Sequence, residues 1–156
     1  MSRIPPLPAP SPRPVVAVSA AIVDGDRVLL VQRGNPPNQG LWSVPGGRLE
    51  WSESLREGVA REVREETGLE VQVGPLVEVV ERIDAGSPPA YHFVILDFLA
   101  RPLGGELRSG DDASEARWVG RAEWAGLPLT EGLLPVLEKA LRLAATSGVW
   151  NLFDPP

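Results

Sequence analysis

A chain of 156 residues, 43% apolar and 23% charged, fits one soluble domain with a workable core. Its net charge is −6 and no Lys/Arg cluster is visible, which argues against polymeric nucleic acid as ligand, because an acidic surface repels phosphates. No cysteine and one histidine, His92, exclude disulfides and thiolate catalysis and disfavour a His-rich zinc site or a Ser-His-Asp triad.

Any metal must then be held mainly by oxygen ligands, which points to magnesium, with manganese as a substitute. No apolar run approaches the ~20 residues that span a bilayer. The N-terminus has no apolar core of a secretory signal, so the protein reads as cytoplasmic and free of membrane.

Residues 1–14 hold six prolines and read as an extended, flexible arm. Residues 15–156 read as a single domain. The apolar run 15–23, a turn at Asp24-Gly25 and the run 28–32 predict a hairpin. Residues 34–40 predict a loop, and 42–44 a short strand that ends at Pro45-Gly46-Gly47. Residues 54–67 favour helix, with Gly68 placed to stop it. Strands follow over 71–83, 91–101 and 116–119. Leucines 133, 134, 137, 141 and 143 mark a second helix over 130–145. The order of elements gives an α+β chain or an α/β/α sandwich.

On a helical wheel of about 100° per residue, Leu55, Val59 and Val63 form the core stripe of the 54–67 helix. Glu62 and Glu66 fall inside that stripe and Glu65 at its edge. Arg56, Glu57, Ala60, Arg64 and Thr67 form the opposite, solvated side. Carboxylates among apolar residues lose hydration, face the negative end of the helix dipole and repel one another. A divalent cation removes all three penalties, and no other cation of the chain is expected to balance the three glutamates together. A solvated, salt-bridged helix surface is the alternative that this run allows by itself.

The flanking residues decide between the two. From Gly47 to Leu69 the chain reads GRLEWSESLREGVAREVREETGL. It resembles the signature of the Nudix family: Gly, five residues, Glu, seven residues, then Arg-Glu-aliphatic-x-Glu-Glu-x-Gly-aliphatic. Gly47, Glu53, Arg61, Glu62, Val63, Glu65, Glu66, Gly68 and Leu69 fill every defined position. Ser52 stands where a glycine is frequent, and altered loop geometry is expected there.

The resemblance implies an α/β/α sandwich with a mixed central sheet and a loop-helix-loop signature. It implies magnesium held by Glu62, Glu65, Glu66 and the Gly46 carbonyl, with Gly47, Glu53, Arg61 and Gly68 supporting the site. It implies hydrolysis of a nucleoside diphosphate linked to another moiety, by attack of water on phosphorus. Glu65 is the first choice as base and Glu115 the second, with Asp111 and Asp112 behind them. Arg33, Trp42 and Trp118 are the candidate substrate contacts, although a surface arginine and core aromatics are ordinary at such places. The stretches RGNPPNQGLWSVPGGRLE and YHFVILDFLA are similar to bacterial proteins grouped as ADP-ribose pyrophosphatases. The substrate implied is therefore ADP-ribose or a nucleoside diphosphate sugar. A nucleotide-sanitising (d)NTP pyrophosphohydrolase is the alternative on the same scaffold, and a non-catalytic nucleotide sensor the alternative of another class. Oligomeric state, including a homodimer, is left open.

Overall fold

Apolar runs at 20–23 and 28–31 belong to strands covered on both faces, and that requirement organises the molecule. A computed structural model describes residues 12–36, 38–110 and 113–153. Residues 1–11 of the proline-rich arm lie outside the described residues, as do Asp111 and Asp112.

Strand β1 (Val15–Asp24) turns at Gly25 into β2 (Arg27–Arg33), with Val23 opposite Val28. Two short strands follow, β3 (Trp42–Ser43) and β4 (Gly46–Arg48), and then helix α1 (Leu55–Thr67). The long strands β5 (Leu69–Ile83) and β6 (His92–Gly105) form an antiparallel pair. Strand β7 (Ala113–Gly120), a 3-10 turn at Arg121–Gly126, helix α2 (Leu133–Ala144) and a second 3-10 turn at Val149–Leu152 complete the order.

The seven strands make one mixed sheet in the order β3-β2-β1-β6-β5, with β4 paired to β1 and β7 to β2. β1 runs parallel to β6 from Val15 opposite Phe93 to Ile22 opposite Ala100. On one face Val18, Ala20, Ile22 and Leu29 pack with Val59 and Val63 of α1. On the other, Ala21, Val23, Val28 and Leu30 pack with Leu133, Val136, Leu137 and Ala140 of α2. This is the α/β/α sandwich with a mixed central sheet.

Several boundaries differ from the sequence expectation. β4 was not expected, because two of its three residues are glycines and carry no alternation; it pairs Gly46 with Ser19 and Gly47 with Val18. β6 continues to Gly105, since its pairing with β5 carries it past the apolar stretch. α2 begins at Leu133, the first leucine of its pattern, after Gly132 in a left-handed conformation and three residues later than the expected start at 130. Thr67 is buried, not solvated: it stands one turn beyond Val63, and its hydroxyl donates to the Val63 carbonyl at 2.6 Å.

One polar pair interrupts the core on the α2 side. The Ser19 hydroxyl donates to the Asp97 carboxylate, and both residues are buried. Burial pushes the Asp97 carboxyl above its usual range, with the Ser19 hydrogen bond opposing. The folded state therefore binds this proton more tightly than the unfolded chain, and stability falls as pH rises through the raised value. Asp97→Asn keeps the acceptor for Ser19 and removes the buried charge. It should raise Tm at pH 8 by about 2–4 °C, equivalent to ~1 kcal/mol for a chain of this size. Melting curves should also show the gain shrinking toward pH ~4, where an ordinary carboxyl takes up its proton. A lower Tm for the variant at pH 8 would contradict the assignment.

Candidate active site

The signature residues are brought together by how α1 starts and where its apolar side must point. Ser54 caps the helix: its hydroxyl accepts from the Glu57 amide at 3.1 Å, and the Glu57 carboxylate accepts from the Ser54 amide at 2.8 Å. Gly68, at φ +77, ends it, and its amide donates to the Arg64 carbonyl. With Val59 and Val63 fixed in the core, the residues beside them on the wheel, Glu62 and Glu66, face the rim of the sheet at β4. Both line a cleft of about 500 Å³ together with Gly46, Gly47, Arg33 and Arg48.

Glu62 sits against Gly47. A methyl group on Gly47 would lie 2.5 Å from a Glu62 carboxylate oxygen, so that contact exists only because the residue is glycine. The Glu62 side chain is 13% exposed, and burial raises its carboxyl while the Arg61 hydrogen bond opposes. Arg61 grips the loop before α1. Its Nε donates to one Glu53 oxygen at 2.6 Å and a terminal nitrogen to the other at 3.1 Å. That same nitrogen donates to the Arg48 carbonyl at 3.0 Å. The other terminal nitrogen reaches Glu62 at 2.9 Å and Glu65 at 3.2 Å. The Glu53 hydrogen bond raises the Arg61 pKa, and the same bond holds the Glu53 carboxyl below its usual range.

The three-carboxylate picture needs correction. Glu65 is 59% exposed and turned to Arg61, and it does not line the cleft. Arg61 already supplies positive charge to Glu62 and Glu65, which the sequence argument had assigned to metal alone. Among the described residues no group of three His, Asp or Glu is gathered closely enough to hold a metal ion. The cleft itself presents two carboxylates and the backbone of Gly46, an all-oxygen set of the kind a hard divalent cation takes.

Other expected contacts divide. Arg33 lines the cleft. Trp42 is 5% exposed and belongs to the α2-side core, where Arg117 covers its ring at 4.9 Å. Trp118 packs against the α1-side core, with Arg27 over its ring at 5.5 Å, and does not line the cleft. Glu115 is exposed and opposite Gln32, in line with Trp42. Residues opposite one another share a face of the sheet, so Glu115 lies on the face away from α1. It does not itself line the cleft of Glu62 and Glu66. Its neighbours Asp111 and Asp112 lie outside the described residues.

Two residues of the site escaped the sequence reading. Gly58 is buried where Leu49 and Glu53 cross the helix; a methyl there would meet Leu49 at 2.8 Å and a Glu53 oxygen at 3.1 Å. Its place one turn before Glu62, on the same side of the wheel, was the available signal. Arg48 lines the cleft from an unrestricted position of the signature, and only the strand pairing of β4 locates it. Ser52 adopts the left-handed φ of +62, so the loop keeps the conformation that favours glycine at that point.

Residues 13–140 match the NUDIX domain family. The chain is 40% identical over 105 residues to an ADP-ribose pyrophosphatase of Methanocaldococcus jannaschii, covering 67% of this chain and 61% of that protein. It therefore spans about three fifths of that relative's length. It is 34% identical over 134 residues to a CTP pyrophosphohydrolase of Escherichia coli, covering 84% of this chain and 95% of that one. The crystal structure of a MutT NUDIX hydrolase from Burkholderia pseudomallei superposes with a TM-score of 0.74 at 34% identity, covering 81% of this chain and 98% of that one.

The Glu62–Gly47 contact is directly testable. In Gly47→Ala the added methyl meets the end of a side chain, not backbone, so the fold should survive with a loss below ~1 kcal/mol. The carboxylate must swing away, and turnover with magnesium should fall at least tenfold, equivalent to about 1.4 kcal/mol. Steady-state kinetics beside a melting curve separates the two effects; unchanged turnover would mean that the position of Glu62 is immaterial.

Proposed function

The chain belongs to the Nudix family, and we propose that it is a magnesium-dependent hydrolase of phosphoric anhydrides. Its substrate in this reading is a nucleoside diphosphate linked to a second moiety, with ADP-ribose or a nucleoside diphosphate sugar preferred. The observation that carries the reading is the cleft that Glu62 and Glu66 line together with Arg33 and Arg48. Acidic and basic groups on one rim suit a metal-diphosphate: the carboxylates hold cations and the guanidiniums take phosphate oxygens.

Glu62, Glu66 and the Gly46 carbonyl would hold magnesium, or manganese in its place, with Glu65 joining them by rotating from Arg61. Bound there, the ion would neutralise phosphate charge and lower the pKa of the attacking water. Arg33 and Arg48 orient the diphosphate so that one phosphorus faces that water. Glu65, the residue of the cluster most open to solvent, accepts the proton. Arg61 and Glu53 fix the loop and Glu62 in one arrangement, as ligand carboxylates require. Cleavage of ADP-ribose places the water oxygen on one phosphate and leaves the bridging oxygen on the other, giving AMP and ribose 5-phosphate.

Similarity to the archaeal ADP-ribose pyrophosphatase supports the preferred substrate. The near-complete coverage of the CTP pyrophosphohydrolase supports a triphosphate as the second reading. A non-catalytic sensor is disfavoured by the intact Glu62, Glu65 and Glu66.

Hydrolysis should vanish in EDTA and return with magnesium or manganese. Glu66→Gln should lower turnover by more than ~100-fold, the upper range for disturbing a metal site's supporting groups. Glu57→Gln is the control, because glutamine preserves the helix cap. Equal behaviour of the two variants would show that the acidic face of α1 has no part in the chemistry.

Comparing kcat/KM for ADP-ribose with a panel of normal and oxidised dNTPs tests the substrate. ADP-ribose should lead by tenfold or more, about 1.4 kcal/mol in transition-state binding. A tenfold lead for any triphosphate would overturn the preference and leave the metal chemistry intact.

A further inference from the structure

Arg48 belongs to two surfaces. It lines the cleft that also holds Glu62 and Glu66, and its guanidinium stands 5.8 Å from the ring of Phe93. Phe93 in turn lies 5.7 Å from Tyr91, centre to centre, with the ring planes tilted by 31°. Strand pairing explains the meeting: Arg48 is opposite Ala17, and Phe93 is level with Val15 on the other side of β1. The three side chains make a continuous path from the acidic rim of the cleft to the start of β6. Tyr91, at its far end, is 43% exposed.

A cation over one aromatic ring, with a second ring beside that one and a cleft of about 500 Å³ adjoining, suits a nucleotide. A nucleobase presents a flat π-face that stacks on such rings whatever its hydrogen-bonding edge. The guanidinium can stack on Phe93 and still donate from its rim to a phosphate oxygen. We propose that Tyr91 and Phe93 form the stacking platform for the base of the substrate, with Arg48 joining that base to its phosphate. The assignment rests on the nucleotide reading above and extends it to the part of the substrate that does not react. The remaining moiety, the sugar phosphate of ADP-ribose, occupies the Arg33 side of the cleft.

AMP and ribose 5-phosphate probe the two halves separately, with dissociation constants measured by calorimetry on the full chain. Tyr91→Ala alters an exposed ring, and Phe93→Leu keeps an apolar side chain in the partly buried place, so both should fold. Each should weaken AMP binding by about tenfold, in line with the loss of one stacking partner. Ribose 5-phosphate binding should stay within twofold, and Tyr91→Phe should restore AMP binding because it restores the ring. Unchanged AMP affinity in both alanine and leucine variants would overturn the proposal. So would equal losses for AMP and ribose 5-phosphate, which would mark the pair as a purely structural brace of the hairpin. Wild-type protein that binds AMP in this pattern but hydrolyses no pyrophosphate would refute the proposed reaction and leave the platform standing.

Discussion

Arg61 is the contact on which the site depends. One guanidinium engages Glu53, the Arg48 carbonyl, Glu62 and Glu65, tying the loop before α1 to the last turns of that helix. Only arginine can do this, because its donors are spread around a rigid plane and its charge persists at every relevant pH. Lysine would present a single point and leave at least two of these acceptors unpaired. The cluster is therefore an acidic site built around a fixed cation. Glu62 can be kept near the interior without metal, because Arg61 meets part of its need for positive charge.

That balance makes sense of the division among the glutamates. Glu62 is held between Gly47 and Arg61, in one orientation. Glu65 reaches the same guanidinium from the solvent side, where water screens the contact and its net worth is small. An arrangement with one clamped carboxylate and one loosely held suits a site that must accept positive charge without rebuilding itself. Metal is therefore not the sole relief for the acidic patch, and the patch is less buried than the helical wheel implies, because Glu65 is largely exposed.

Legibility followed side-chain pattern. α1 could be read closely because caps, apolar spacing and a signature of nine fixed positions all agree over one short stretch. The hairpin of β1 and β2 was also visible, as two apolar runs about the Asp24-Gly25 turn. β4 was not, since Gly46 and Gly47 have no side chains to show an alternation, and its existence depends on pairing with a strand some thirty residues away. Trp42 and Trp118 were ambiguous for the opposite reason: a large aromatic serves equally well in a core or a pocket, and only the register with Gln32 and Leu29 assigns each to a packed face. Glu115 depended on the same register, which carries it away from α1.

The three residues of β4 also explain how one rim can serve both chemistry and recognition. Successive residues of a strand point to opposite faces. Gly47, opposite Val18, presents its bare α-carbon on the α1 side, where Glu62 rests. Arg48, the next residue, is opposite Ala17 and turns its side chain to the other face, toward Phe93. A substrate lying across the rim would thus meet carboxylates and their cations on one side and a stacked cation on the other. Shifting β4 by one residue against β1 would exchange these faces, setting a bulky arginine against Glu62 and leaving Phe93 uncovered. Pairing with β1, and the Arg61 hydrogen bond to the Arg48 carbonyl, both oppose that slip. The arginine that organises the acidic residues therefore also fixes the register on which the recognition side depends.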